Sequence, residues 1–80
     1  MPSEESMTLY AVYRLKFDFD NDFADADAIA GLTGFDPDER LDLLLERGEI
    51  KTRGGGATSP VCFVVTDPGL ARLRDEGFLG

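Results

Sequence analysis

The chain has 80 residues, of which 16 are acidic and 8 are basic, so its formal net charge at neutral pH is −8. It contains no His and a single Cys, which excludes catalysis by an imidazole, zinc sites built on His and disulfide bonds within the chain. The hydrophobic fraction of 42% is sufficient for one small core, and no apolar run reaches the roughly 20 residues that cross a bilayer.

The acidic charge is concentrated in one third of the sequence. Residues 18–46 hold ten carboxylates and one arginine, whereas the segments on either side are close to neutral. Such an asymmetry indicates something about binding partners rather than about the fold. The chain does not begin with the basic and then apolar residues of a signal peptide, and its single thiol is typical of a reducing compartment. These features predict a cytoplasmic protein without membrane association.

The first predicted element is a long strand. Residues 1–7 are expected to form a flexible tail, and residues 8–80 a single domain. From Thr8 to Phe19 apolar and polar side chains alternate, which predicts a β-strand with one buried face. Tyr10 and Val12 would then lie on its outer face, where they offer a contact for a homodimer; a monomer is the alternative. The side chains expected to face inward are Leu9, Ala11, Tyr13, Leu15, Phe17 and Phe19.

Two short helices are predicted next. Apolar residues recur at helical spacing over residues 23–32, with Asp22 as a capping residue and Gly34 as the stop. The sequence Asp36-Pro37-Asp38-Glu39 is typical of a helix start, because Asp36 can cap, Pro suits the first helical position and Glu39 completes a capping box. It predicts a second helix over residues 37–47.

A hairpin and a last helix complete the predicted fold. Residues 49–53 and 61–65 favour strands around a glycine-rich tip, and Thr66 or Asp67 then caps a helix that ends in a Schellman motif. The order β-α-α-β-β-α predicts a small α+β domain with a three-stranded antiparallel sheet and helices packed on one face. The expected core is Leu9, Tyr13, Leu15, Phe17, Ile29, Leu41, Leu44, Leu45, Val61, Phe63, Val65 and Leu73.

No motif in the sequence indicates an active site. The aspartates that follow the first predicted strand alternate as calcium ligands do, but Phe23 and Ile29 stand where a calcium loop needs Gly and Glu. The glycines at 54–56 lead into a strand, whereas a phosphate-binding loop leads into a helix. Cys62 has no neighbouring base in its strand. We therefore expect a protein that is not an enzyme and that needs neither metal nor cofactor.

Residues 28–65 resemble the latter part of a winged helix-turn-helix domain. The resemblance is carried by residues 29–35, with the Ala30-xxx-Gly34 spacing of the turn, and by residues 44–50, which lead into the hairpin. It implies that helix 37–47 reads a major groove and that the hairpin, the wing, contacts phosphates. The DNA-binding residues that it implies are Arg40, Arg47, Lys51 and Arg53.

The sequence departs from the winged-helix pattern in three respects. A strand is predicted where that family has its first helix, and the second helix is about one turn short. The reading face also carries Asp38, Asp42 and Glu46, which duplex DNA repels because its affinity for proteins comes largely from neutralising phosphates. Acidity of this kind is typical of proteins from salt-loving cells, so one interpretation is a winged-helix-like transcription regulator from a halophile.

The other interpretation takes the acidity as the binding surface itself. In size, charge and lack of catalytic residues the chain resembles small acidic phage proteins of the anti-CRISPR and anti-restriction type, which act as DNA mimics inside a host cell. This resemblance is one of general character. It implies that the partner is the basic surface of a nucleic-acid-handling complex such as a CRISPR effector, and it argues against direct binding of nucleic acid. The predicted contact residues are Asp18, Asp20, Asp22, Asp25, Asp27, Asp38, Asp42 and Glu46.

Overall fold

The computed structural model describes residues 3–18, 24–54 and 61–79 of the chain. Within these ranges three helices are followed by a hairpin and a fourth helix. The elements are α1 (Glu4–Phe17), α2 (Ala26–Thr33), α3 (Asp38–Glu46), β1 (Ile50–Gly54), β2 (Val61–Val65) and α4 (Asp67–Asp75).

The predicted first strand is wrong, because α1 occupies this segment. Ser3 caps the helix by accepting the backbone N–H of Ser6 at 3.1 Å, and the two glutamates of the first turn suit the positive end of the helix dipole. Leu9, Val12 and Leu15 form its buried stripe. Residues 9–13 are all apolar, so the apolar side chains of this region fit a helical stripe as well as the alternation of a strand.

This change also corrects the predicted core and tail. Residues 4–7, which were expected to belong to a flexible tail, form the first turn of α1. Val12 is fully buried rather than on an outer face, and Phe17, expected inside, is 61% exposed. Val61 is likewise exposed at one end of β2, whereas Ile50 is a core residue that the sequence reading omitted.

The three-stranded sheet is wrong as well, although the coarser α+β class holds. The sheet has two antiparallel strands, in which Ile50 of β1 pairs with Val65 of β2. On the other side of β2, the backbone N–H of Phe63 donates to the carbonyl oxygen of Ala24 at 3.0 Å. Ala24, in the segment that precedes α2, therefore takes a place that a third strand would occupy.

Local capping signals set most of the remaining helix ends. Asp25 rather than Asp22 caps α2, and Asp22 lies outside the described residues. At the start of α3 the carboxylate of Asp36 accepts the N–H of Asp38 at 3.0 Å, in place of the predicted capping box. The helices α3 and α4 both end in Schellman motifs, as the sequence predicts for α4, with Gly77 at φ +84°.

The core lies between α1 and the elements that surround it. Buried side chains from α1, α2, α3, β1 and α4 meet there in one cluster, with Tyr10, Phe63 and Phe78 packed against its edge. Over the described ranges, no helix has the length and apolar character that crossing a membrane requires. The arrangement leaves one side of α3 and one side of the hairpin facing solvent.

Candidate functional site

The outer side of α3 carries a row of carboxylates. Asp38, Asp42 and Glu46 are all exposed, and the helical rise of 1.5 Å per residue separates successive members by about 6 Å along the axis. Glu39 lies beside them and is also exposed. None of the four forms an ion pair with a basic side chain in the described part of the chain. We call these four residues the acidic flank.

The opposite side of the same helix carries Arg40, and Arg47 follows on that side as the C-cap residue; both arginines are paired with α1. A guanidinium nitrogen (Nη2) of Arg40 lies 3.0 Å from a carboxylate oxygen (Oε2) of Glu4. Arg47 donates from Nη1 to Oε1 of Glu5 at 2.5 Å. The first turn of α1 thus neutralises the cations of α3, and the charge that remains on its outer surface is negative.

Leu43 lies between the two sides of α3. Its side chain is 41% exposed, whereas Leu41 and Leu44 are buried in the core. An isolated exposed leucine is common on protein surfaces and needs no special explanation. Here it separates the acidic flank from the arginines.

The other predicted partner-binding residues lie elsewhere. Asp18, at the end of α1, pairs with Arg14 at 3.1 Å, and the carboxylate of Asp25 caps α2 by accepting the N–H of Ala28 at 2.8 Å. Asp27 is exposed in the first turn of α2. The structure therefore brings Asp38, Asp42 and Glu46 together on one helix and leaves these three at other helix ends. The remaining two, Asp20 and Asp22, lie outside the described residues.

The wing presents the other two predicted cations. Lys51 and Arg53 are exposed, and because side chains of a strand alternate, both project from the same face of β1. Neither has an ion-pair partner among the residues that the structure describes. Of the four DNA-binding residues that the winged-helix resemblance implies, two are therefore paired with α1 and two are available.

An ionic cluster that sequence reasoning missed joins α1, the turn before β1 and α4. Arg72 of α4 donates hydrogen bonds to Glu5 at 2.7 Å, to Glu49 at 2.8 Å and to Glu76 at 2.7 Å. The hydroxyl of Ser6 also donates to Glu76. We call Glu5, Glu49, Arg72 and Glu76 the ionic seam. Only the Arg72–Glu76 pair, spaced i to i+4 on one helix, has a signal in the sequence.

The surroundings of the ionic seam shift two pKa values. Burial lowers the pKa of Arg72, but hydrogen bonds to Glu5, Glu76 and Glu49 outweigh this and hold it above its ordinary value. The pKa of Glu76 is lowered, first by the hydrogen bond from Ser6 and then by the one from Arg72. Both groups are therefore charged at neutral pH, which is what a structural ion cluster requires.

An open apolar groove of about 310 Å³ lies between α1, α2 and the end of the chain. Met7, Tyr10, Leu32 and Phe78 line it, and the polar side chains at its rim already have partners. Among these, Thr33 donates to the carbonyl oxygen of Phe35 at 3.1 Å. The groove offers apolar contact, and it lacks the convergent polar groups that orient a ligand in a small-molecule site.

Comparisons of the chain with protein-family models, with curated proteins and with solved structures find no match. Over the described ranges, no three His, Cys, Asp or Glu side chains are grouped in a way that could hold a metal ion. The charges of α3 and of the wing are the features of the described residues that bear on function.

Proposed function

We propose that this protein is a non-enzymatic binding protein that presents the acidic flank of α3 to the basic, nucleic-acid-binding surface of a partner, as a DNA mimic does. One observation carries the proposal. The carboxylates of Asp38, Asp42 and Glu46 are exposed and have no counter-ion among the described residues, while Arg40 and the C-cap residue Arg47 are held by α1. The basic channel of a CRISPR effector is one surface with the required chemistry.

The mechanism of binding is electrostatic. Lysines and arginines that normally neutralise phosphates would instead meet a row of carboxylates on a rigid helix. Because long-range attraction between exposed charges is screened over about 10 Å at 0.1 M salt, association is expected to be fast at low salt and to weaken as salt rises. No covalent step and no cofactor enters this proposal.

The test compares two double variants with the same change in net charge. Asp42→Asn with Glu46→Gln neutralises part of the acidic flank, and Asp67→Asn with Asp75→Asn neutralises two exposed carboxylates of α4. Each immobilised variant is used to capture proteins from a host-cell lysate at low salt, and bound proteins are eluted with duplex DNA. We expect the α3 variant to lose most of the DNA-elutable proteins and the α4 variant to retain them. Equal capture by both variants, or capture that duplex DNA does not compete, would contradict the proposal.

A second candidate function is direct binding of DNA by a winged helix-turn-helix. Two observations favour it. A helix, α1, stands where the sequence reading placed a strand, so the order of three helices and a hairpin agrees with that family's pattern. In addition, Lys51 and Arg53 of the wing have no intramolecular ion pairs in the described ranges. A regulator from a halophile is the form of this function that accounts for the overall acidity.

The charges of α3 favour the DNA-mimic function over direct binding of DNA. A helix laid in a major groove would bring the four carboxylates of the acidic flank towards phosphates, against two available cations on the wing. Lys51→Ala with Arg53→Ala separates the candidates by a gel shift with duplex oligonucleotides. If the protein reads DNA, this variant loses the shift; if the acidic flank is the binding surface, the parent protein gives no shift and the variant still captures basic partners.

A further inference from the structure

Two carboxylates of α1 cover the two arginines that lie on one side of α3. Arg40 and Arg47 are seven residues apart, about two helical turns, so they lie on the same side of α3. Consecutive residues of α1 meet them, with Glu4 at 3.0 Å from Arg40 and Glu5 at 2.5 Å from Arg47. Arg40 is the only basic residue within α3, and Arg47 is its C-cap residue.

Both arginines remain within reach of an external anion. The side chain of Arg47 is 55% exposed and that of Arg40 is 33% exposed, so neither ion pair is sealed from solvent. Exposed pairs are weak: one such pair disfavours competing partners by a factor of only about two to five. The Glu5 carboxylate is better shielded and also accepts from Arg72, which makes the Arg47 pair the stronger of the two.

We infer that Glu4 and Glu5 form an autoinhibitory clamp, which withholds Arg40 and Arg47 from the phosphates of nucleic acid. The inference goes beyond the proposed docking of the acidic flank and does not depend on it. With the clamp closed, α3 offers only carboxylates; with it open, two guanidinium groups on the other side of the helix become available for phosphates. The clamp therefore weakens the contribution that the two arginines can make to binding of phosphates.

The test compares two double variants: the clamp variant, Glu4→Gln with Glu5→Gln, and a control, Asp67→Asn with Asp75→Asn, which lies on α4 away from the acidic flank. Both doubles change the net charge equally, but the control removes carboxylates that hold no arginine in the described part of the chain. Binding to a random-sequence DNA duplex is measured by fluorescence anisotropy over a salt series. We expect the clamp variant to bind roughly five- to twentyfold more tightly than the control, since two weak pairs are removed. Its plot of log affinity against log salt should be steeper by up to about two, at about 0.9 for each added phosphate contact.

A further substitution assigns the gain to the arginines. Changing Arg40 and Arg47 to Gln in the clamp variant is expected to abolish the gain in affinity and in salt slope. Equal tightening in the clamp and control doubles would overturn the inference, because it would show an effect of net charge alone. Failure of the clamp variant to bind duplex DNA at low salt would overturn it as well.

A single substitution at Glu4 tests the clamp without disturbing the ionic seam. Glu5 also belongs to the ionic seam, so its change to Gln can weaken the fold, whereas Glu4 contacts Arg40 outside that cluster. Glu4→Gln is therefore expected to give a two- to fivefold gain in DNA affinity over Asp75→Asn, with unchanged helical circular dichroism. An absent gain in this pair contradicts the clamp even if the double variant does not fold. Capture of basic partners is a separate assay, so the failure of one idea is distinguishable from the failure of the other.

Discussion

The carboxylates of the ionic seam and those of the acidic flank are chemically alike but differ in their surroundings. In the seam, three glutamates from separate parts of the chain converge on the guanidinium group of Arg72. The side chains of Glu5 and Glu49 are largely shielded from solvent, and that of Glu76 is partly exposed. On the acidic flank, the carboxylates face solvent without a counter-ion in the described ranges. Charge of the first kind stabilises a fold, whereas charge of the second kind is available to a partner. A count of acidic residues cannot distinguish the two.

The largest expected effect comes from removing the centre of the ionic seam. Arg72→Met leaves Glu5, Glu49 and Glu76 without their shared counter-ion, so the free energy of unfolding should fall by about 3 kcal/mol. The matched control is Arg74→Met on the same helix, which is exposed and is expected to change stability by less than about 0.5 kcal/mol. Urea denaturation measures both, and equal losses would show that the seam is not a stabilising cluster.

The next effect tests how closely the helix that carries Arg72 fits against the turn before β1. A Cβ atom added at Gly69 would overlap the carbonyl oxygen of Glu49 and lie 2.7 Å from Cγ1 of Val65. Gly69→Ala should therefore lower the free energy of unfolding by about 2 kcal/mol, since backbone would have to shift. Gly31→Ala in α2 meets no atom and should stabilise by about 0.5–1 kcal/mol. The midpoint temperature of thermal unfolding should fall for Gly69→Ala and rise for Gly31→Ala. A shift in the same direction for both variants would contradict the close fit at Gly69.

The parts of the fold that the sequence predicts are those with local signals. Pro37 marks the start of α3, Gly48 marks its end before the hairpin, and Gly77 marks the end of α4. The conformational preferences of these residues act within a few positions of the sequence. The helix α1 has no such punctuation inside the region read as a strand, and its cap, Ser3, lies in the segment taken for a tail. Apolar residues at both periodicities then left the choice to tertiary packing, which favoured the helix.

The candidate site divides in the same way. The exposed carboxylates of Asp38, Asp42 and Glu46 in the acidic flank were predictable, because a spacing of four residues places side chains on one side of a single helix. The pairing of the arginines with α1 was not, because Arg47 and Glu5 are 42 residues apart in sequence. The ionic seam spans still longer separations, up to 67 residues between Glu5 and Arg72, and so depends on how the helices pack. Sequence reasoning therefore found the charges but not which of them are neutralised.

A smaller effect is expected from acid. The pKa of Glu76 is lowered in the folded state, so its ionised form contributes stability above the ordinary pKa of a glutamate. That contribution is lost as the pH falls through the lowered, folded-state pKa. Glu76→Gln should lower the free energy of unfolding by roughly 1 kcal/mol at neutral pH and should flatten its decline in acid. Asp75→Asn, an exposed neighbour, should leave the pH profile of the parent unchanged, and equal profiles for the two variants would contradict the role of Glu76.

The smallest effect, and the opposite in sign, is expected on the acidic flank. Asp38, Asp42 and Glu46 are like charges at successive i to i+4 positions, an arrangement that costs a helix a few tenths of a kcal/mol for each pair. Asp42→Asn with Glu46→Gln should therefore raise the free energy of unfolding by about 0.5 kcal/mol, measured by urea denaturation at low salt, and the gain should shrink as salt screens the repulsion. A loss above about 1 kcal/mol would mean that these carboxylates have structural partners, and the contrast with the ionic seam would fail. A gain in the free energy of unfolding would mean that the carboxylates of the acidic flank repel one another in the folded protein. Binding of a cation or of a basic partner at the acidic flank would relieve this repulsion.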